Sequence, residues 1–142
     1  MLAYIPVPMY WGRIPEKYRL IGYRCKKCST INFPYRSACK NCGSKADYEE
    51  VKLSWRGKVY SYSIIAAGGS PPEFVNFERA VGQYPIAIVE LDEGPRIMTQ
   101  LTECKPEEVR IGMEVEATLR KIYEDEGVIR YGIKFKPVRI KQ

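Results

Sequence analysis

A chain of 142 residues carrying a net charge of +6 and no histidine is long enough for one domain, or for a small domain with an appendage. Without histidine it lacks the commonest general base and any Ser-His or Cys-His nucleophile pair. No apolar run approaches the length of a membrane-spanning helix, which excludes such a span.

Residues 1–22 are rich in proline and aromatic side chains: Pro6, Pro8, Tyr10, Trp11, Pro15, Tyr18. The first eight have neither a basic start nor a sustained apolar stretch, so no secretory leader is expected. The prolines exclude one continuous helix, while Pro15 suits the first turn of a short one. Tyr10, Ile14 and Tyr18 recur every four residues, the spacing of one helical face. That arm is expected either to fold back on its own domain or to meet another protein.

Residues 23–50 read as a metal-pinned ribbon. Cys25-Lys26-Lys27-Cys28 and Cys39-Lys40-Asn41-Cys42 are two Cys-x-x-Cys pairs separated by ten residues, close enough for a hairpin to bring four thiolates onto one tetrahedral ion at about 2.3 Å. Gly43 suits the positive φ that the turn after a pair requires, whereas Ser29 holds the equivalent place after the first pair. A segment this small buries too little apolar surface to fold alone, so a structural zinc ion would supply the missing energy. Iron is the chemical alternative for a tetrahedral four-sulfur site. Four of five cysteines in metal spacing also fit a reducing, cytoplasmic setting. Cys104 is left over and reads as a half-buried strand thiol.

Charge is concentrated here. Residues 1–60 hold twelve Lys and Arg against four Asp and Glu, while residues 61–142 hold eleven against thirteen. Between Arg24 and Lys45 there are six basic residues and no acidic one. Such a face suits an anionic partner: nucleic acid, an acidic protein surface or a phosphate-bearing cofactor.

Residues 51–142 read as β. Strands are expected at Trp55 to Ile65, Pro85 to Leu91, Arg96 to Leu101, Met113 to Tyr123 and Val128 to Val138, with turns at Asp92-Glu93-Gly94-Pro95 and Glu124-Asp125-Glu126-Gly127. One helical turn is expected at Pro106-Glu107-Glu108-Val109, ended by Gly112, between the third and fourth strands. That order matches the five-stranded OB-fold barrel. The connection from Ile65 to Pro85 is long, a length often tied to function. Its backbone N–H groups at Gly68 to Ser70 are expected to be open to an anion, with Phe74, Phe77 and Val81 pinning it to a surface.

No constellation is catalytic in type. A Cys₄ site has no open position for water or substrate, and Glu90, Asp92 and Glu93 fall on a strand end and turn. Two binding roles remain. A zinc ribbon beside an OB-fold could hold single-stranded nucleic acid on aromatic platforms in a basic groove. The acidic balance of the barrel half argues against tracking a phosphate backbone and favours a protein or cofactor partner.

The residues also resemble a known family. Val7-Pro8-Met9-Tyr10-Trp11 and Tyr18-Arg19-Leu20-Ile21-Gly22 lead into the first cysteine pair, and Phe33-Pro34-Tyr35-Arg36 precedes the second. Then come Gly57-Lys58-Val59-Tyr60-Ser61-Tyr62, Val89-Glu90-Leu91-Asp92-Glu93-Gly94-Pro95 and Ile111-Gly112-Met113-Glu114-Val115. In this order they are similar to the acyl-CoA-associated OB-fold proteins with an N-terminal rubredoxin-like zinc ribbon, small partners of thiolase-type enzymes. The likeness is strongest to the archaeal branch that accompanies acetoacetyl-CoA thiolase and hydroxymethylglutaryl-CoA synthase. Ser29 and Lys40 stand where that family usually has glycine and proline, and neither is a ligand.

The resemblance implies a mainly β chain in three parts: an arm (1–22) with a short helix, a zinc ribbon (23–50) and an OB-fold domain (51–142). It implies a non-catalytic cytoplasmic subunit that bridges those two enzymes in the mevalonate pathway and helps form a shared CoA-binding surface. Zinc would sit on Cys25, Cys28, Cys39 and Cys42, and Arg36 and Lys40 are the candidates for the CoA phosphates.

Overall fold

The computed structural model describes residues 7–139, apart from the side chains of Val7, Tyr10 and Asp125. The chain divides into two compact units, residues 1–53 and 54–142.

In the first unit two short helices precede a small sheet. Helix α1 (Val7–Gly12) stops at Arg13, and α2 (Ile14–Arg19) carries Pro15 in its first turn, where a missing N–H costs nothing. The break puts Tyr10 on one helix and Ile14 and Tyr18 on the other; the packing expected of Tyr10 lies outside the described side chains. Leu20 ends α2 in the left-handed region at φ 50° and is almost fully buried. Strand β1 (Ile21–Cys25) lies between β2 (Ile31–Asn32) and β3 (Tyr48–Lys52), antiparallel to both. Gly22 has to be small: a Cβ there would lie 2.9 Å from Leu53 Cδ2 and 3.1 Å from Ile31 Cγ2.

The second unit is a nearly closed barrel. Its strands are β4 (Arg56–Ala66), β5 (Gln83–Leu91), β6 (Arg96–Gln100), β7 (Glu114–Asp125) and β8 (Val128–Pro137), in the order β6-β5-β4-β7-β8. A parallel bridge between Leu101 and Phe135, with the Thr102 N–H donating to the Phe135 carbonyl at 2.8 Å, brings the two ends of the sheet together. Val59, Ala87, Val89, Leu91, Val115 and Phe135 form the core, each at most 2% exposed. They are alternate residues of their strands, as a sheet with one buried face requires. A single 3₁₀ turn, Pro106–Glu108, separates the third and fourth strands of the barrel. Glu126 and Gly127 join β7 to β8 with positive φ at both positions, the backbone of a tight hairpin turn.

The expected alternation of Val115, Ala117 and Leu119 holds only at its start. Val115 is fully buried, yet Leu119 is 49% exposed, because β4 pairs with β7 through Arg56–Lys58 alone. Beyond Glu116 the strand β7 is laddered to β8, with Ala117 N–H donating to the Trp55 carbonyl at 2.7 Å and Phe74 of the long connection meeting Tyr123 at a ring distance of 5.8 Å.

The long connection between β4 and β5 contains a 3₁₀ turn (Pro72–Phe74) and α3 (Val75–Val81). Phe74 and Phe77 pin it as expected, their rings 6.5 and 5.2 Å from that of Tyr84. Val81 does not, being 48% exposed. Lys134, buried beside this loop with its ammonium 4.9 Å from the Phe77 ring centroid, has its pKa lowered, first by burial and then by Arg120.

The open N–H groups expected at Gly68 to Ser70 are occupied from within. The Glu78 carboxylate accepts from Gly68 N–H at 2.5 Å and Ser70 N–H at 3.1 Å, and Gly69 N–H donates to the Ala66 carbonyl. The sequence separated this carboxylate from its donors by a helix, so the pairing was invisible. Hydrogen bonds from the Ser70 side chain, then from Gly68, hold the Glu78 carboxyl below the usual carboxylate range. A lowered folded-state pKa gives stability that is present above the unfolded value, about 4.3, and lost as pH falls through the folded one. Glu78→Gln should therefore lower the melting temperature at pH 7 and flatten its decline below about pH 4, as read by thermal unfolding across a pH series.

Candidate metal centre

Four sulfurs converge at the end of the first unit's sheet. The Sγ atoms of Cys25, Cys28, Cys39 and Cys42 all lie within 4.8 Å of one another. Cys25 and Cys42 are 3.8 Å apart, and Cys28 and Cys39 3.6 Å. A tetrahedron with metal–sulfur bonds of about 2.3 Å has edges of about 3.8 Å, whereas a disulfide would need about 2.05 Å. All four thiols are free. The donor set therefore fits a zinc ion, with one ligand from each end of each Cys-x-x-Cys pair.

The two pairs are built alike. In the first, Ser29 N–H donates to the Cys25 carbonyl at 2.8 Å and Cys25 N–H to the Thr30 carbonyl at 2.9 Å. In the second, Gly43 N–H donates to the Cys39 carbonyl at 3.0 Å and Cys39 N–H to the Ser44 carbonyl at 3.0 Å. Both turns reverse through a left-handed residue, Ser29 at φ 61° and Gly43 at φ 66°. The same left-handed backbone favours glycine at both sites and is filled by serine at the first. A Cβ on Gly43 would meet nothing within 4 Å, so Gly43→Ala should cost only the backbone term, about 1 kcal/mol. Ser29→Gly should shift stability the opposite way by about 0.5 kcal/mol, the strain relief less the added unfolded-state entropy. Thermal unfolding of the zinc-loaded chain checks both signs.

At Cys28 and Cys39 polar neighbours favour the thiolate form that a metal requires. Hydrogen bonds from the Thr30 side chain, then from its backbone N–H, hold the Cys28 thiol down at about 5. Backbone N–H groups of Cys42 and Asn41, then the Asn32 amide, hold Cys39 below its ordinary value.

Asn32 is the residue that the sequence did not single out. It is fully buried, its Nδ2 lies 3.5 Å from Cys39 Sγ, and its Oδ1 accepts from Lys40 N–H at 2.9 Å. A lone asparagine two residues before a cis-proline peptide carries no signal in one sequence; the register of β2 opposite Tyr23 is what turns it toward the sulfurs. Ser44, whose hydroxyl lies 3.0 Å from Cys42 Sγ, adds a second neighbour of this kind.

The other candidates are placed differently. Arg36 and Lys40 are exposed, and among the described residues neither makes an ion pair. Lys26 and Arg24, from the same basic run, are turned to Asp47 and Glu49. Cys104 lies in a bend after β6 rather than in a strand, half-buried, and burial, then Glu108, pushes its thiol pKa up.

Comparison with known proteins adds the following. A family model described as the ChsH2 rubredoxin-like zinc ribbon domain matches residues 14–49, and one for the ChsH2 C-terminal OB-fold domain matches residues 50–120. A DUF35 domain-containing scaffold protein of Methanocaldococcus jannaschii is 51% identical over 130 residues, 90% of this chain and 88% of that protein. The benzoylsuccinyl-CoA thiolase subunit BbsA of Thauera aromatica is 37% identical over 131 residues, 89% of this chain and 80% of its own. Among solved structures, the Ltp2–ChsH2(DUF35) aldolase has a chain similar at TM-score 0.69 and 29% identity, covering 96% of this chain and 98% of that one.

Proposed function

The chain belongs to the DUF35 family in its ChsH2-type form, a rubredoxin-like zinc ribbon followed by an OB-fold domain, and from that membership we propose that it is a non-catalytic subunit that holds thiolase-type acyl-CoA enzymes together. The observation that carries the reading is the pairing of a scaffold protein 51% identical over nine-tenths of the chain with a thiolase subunit 37% identical over 131 residues. In its finer form, the chain bridges acetoacetyl-CoA thiolase and hydroxymethylglutaryl-CoA synthase in the cytoplasm and hands on acetoacetyl-CoA in the mevalonate pathway. Adjacent active sites keep a thioester intermediate local through effective concentration. Draining the product of an unfavourable condensation also pulls that step forward.

Within this reading Cys25, Cys28, Cys39 and Cys42 hold zinc, which when bound supplies folding energy to the ribbon and no chemistry to a substrate. Residues 1–22 serve as a docking arm, 23–50 as the ribbon and 51–142 as the barrel. Trp11 at 68% and Met9 at 54% exposure give the arm apolar surface for contact. Arg36 and Lys40, exposed on the ribbon, are the cations offered to CoA phosphates at a shared surface.

The test is affinity purification of the tagged chain from its native host, followed by identification of bound proteins and assay of coupled flux from acetyl-CoA. Both enzymes in the eluate, with coupled flux above that of the separate enzymes, supports the finer reading. A thiolase-type enzyme alone supports only the coarser one. Salt-sensitive binding to random single-stranded DNA with no such enzyme captured would sink both.

A further inference from the structure

The barrel unit holds a groove of ≈ 430 Å³ with Ile65, Ile86, Ile122 and Ile133 in its walls and Met98 and Gln100 beside them. Its volume is that of a ligand or side-chain pocket, and no charged residue lines it. Phosphate-bearing occupants, nucleic acid and nucleotide alike, therefore find no counter-charge here. An uncharged, apolar occupant does find its match.

Two features identify the kind of occupant. Met98 is 80% exposed, a flexible apolar side chain kept in water, of the sort that adapts to protein surfaces. Gln100 is the second. Its Oε1 and Nε2 are both buried and neither has a hydrogen-bond partner, an arrangement that destabilises the isolated fold. Met98 and Gln100 are alternate residues of β6 and so share a face. One acceptor and one donor on a single carboxamide match the N–H and C=O of one residue in an extended backbone.

We propose that this groove takes an extended, apolar peptide segment of the enzyme partner, with Gln100 bonding the N–H and C=O of one of its residues. The inference rests on the scaffold reading above and adds the place and chemistry of contact.

The experiment uses the full chain co-expressed with the thiolase-type enzyme it captures. Gln100→Leu removes the unpaired amide at similar volume, so it should raise the melting temperature by roughly 4–8 °C while weakening enzyme binding about tenfold or more. Met98→Arg, at an exposed position, should weaken binding about tenfold with the melting temperature unchanged. A photo-crosslinking residue at position 98 should label the enzyme. Unchanged affinity in both variants, a lower melting temperature for Gln100→Leu, or labelling of only a second copy of this chain would each overturn the groove assignment while leaving the scaffold reading intact. Failure of the unmodified chain to capture any such enzyme removes the scaffold reading itself, and the groove assignment with it.

Discussion

Cys39→Ser is expected to strip the ribbon of its metal and unfold it, while the barrel unit keeps its fold. Cys39 is 3% exposed and is one of the four converging sulfurs, accepting from Asn32 and lying 3.6 Å from Cys28. The first unit has one three-stranded sheet, of which one strand is two residues long, and a fully buried aliphatic set of Leu20 and Leu53. Structural zinc contributes about 10–16 kcal/mol to domains of this kind, more than such a core can replace against the total of about 5–15 kcal/mol that whole domains possess. Elemental analysis of the purified variant should find no stoichiometric zinc. Amide exchange should show protection lost between residues 20 and 53 and kept in β4, β5 and β7. A variant that stays folded in the ribbon without metal would contradict a structural role for the ion.

Gly57→Ala is expected to cost about 3 kcal/mol or more, the upper end of overpacking effects. Gly57 lies in the stretch of β4 that is paired on both sides, opposite Leu91 in β5 and Val115 in β7. A Cβ there would collide with the carbonyl oxygen of Glu90 and stand 2.9 Å from Val89 Cγ1. The obstacle is backbone, so no rotamer change relieves it; β4 and β5 must part at the middle of the sheet. Gly132→Ala is the natural contrast. Its Cβ would meet Ile122 Cγ1 at 2.8 Å, and that side chain can move, which should limit the cost to about 1 kcal/mol. Denaturant unfolding of the two variants, followed through a barrel probe, gives the difference directly.

The barrel was legible because its signals are local. The alternation from Trp55 to Ile65, the apolar run from Pro85 to Leu91, the Asp92-Glu93-Gly94-Pro95 turn and the Pro106-Glu107-Glu108-Val109 segment each specify an element within a few residues. Five strands with one helical turn after the third leave few ways to close. What was misread depends on which strand lies alongside which. Leu119 is exposed because β4 has already turned away. Gly68 and Ser70 are unavailable to an outside anion because Glu78, eight to ten residues on in α3, accepts from both. Asn32 and Gln100 acquire roles only from what surrounds them in space.

By itself the sequence determined the metal-ligand spacing, the absence of histidine chemistry and the positions of the barrel strands along the chain, since each depends on residue type or on short-range periodicity. Only the tertiary structure decided that Gly57 admits no side chain, that the long loop supplies its own carboxylate, and that a buried carboxamide in an uncharged groove stands without a partner. Steric contact and hydrogen-bond satisfaction are properties of distances between segments far apart in the chain, and no local pattern of residues encodes them.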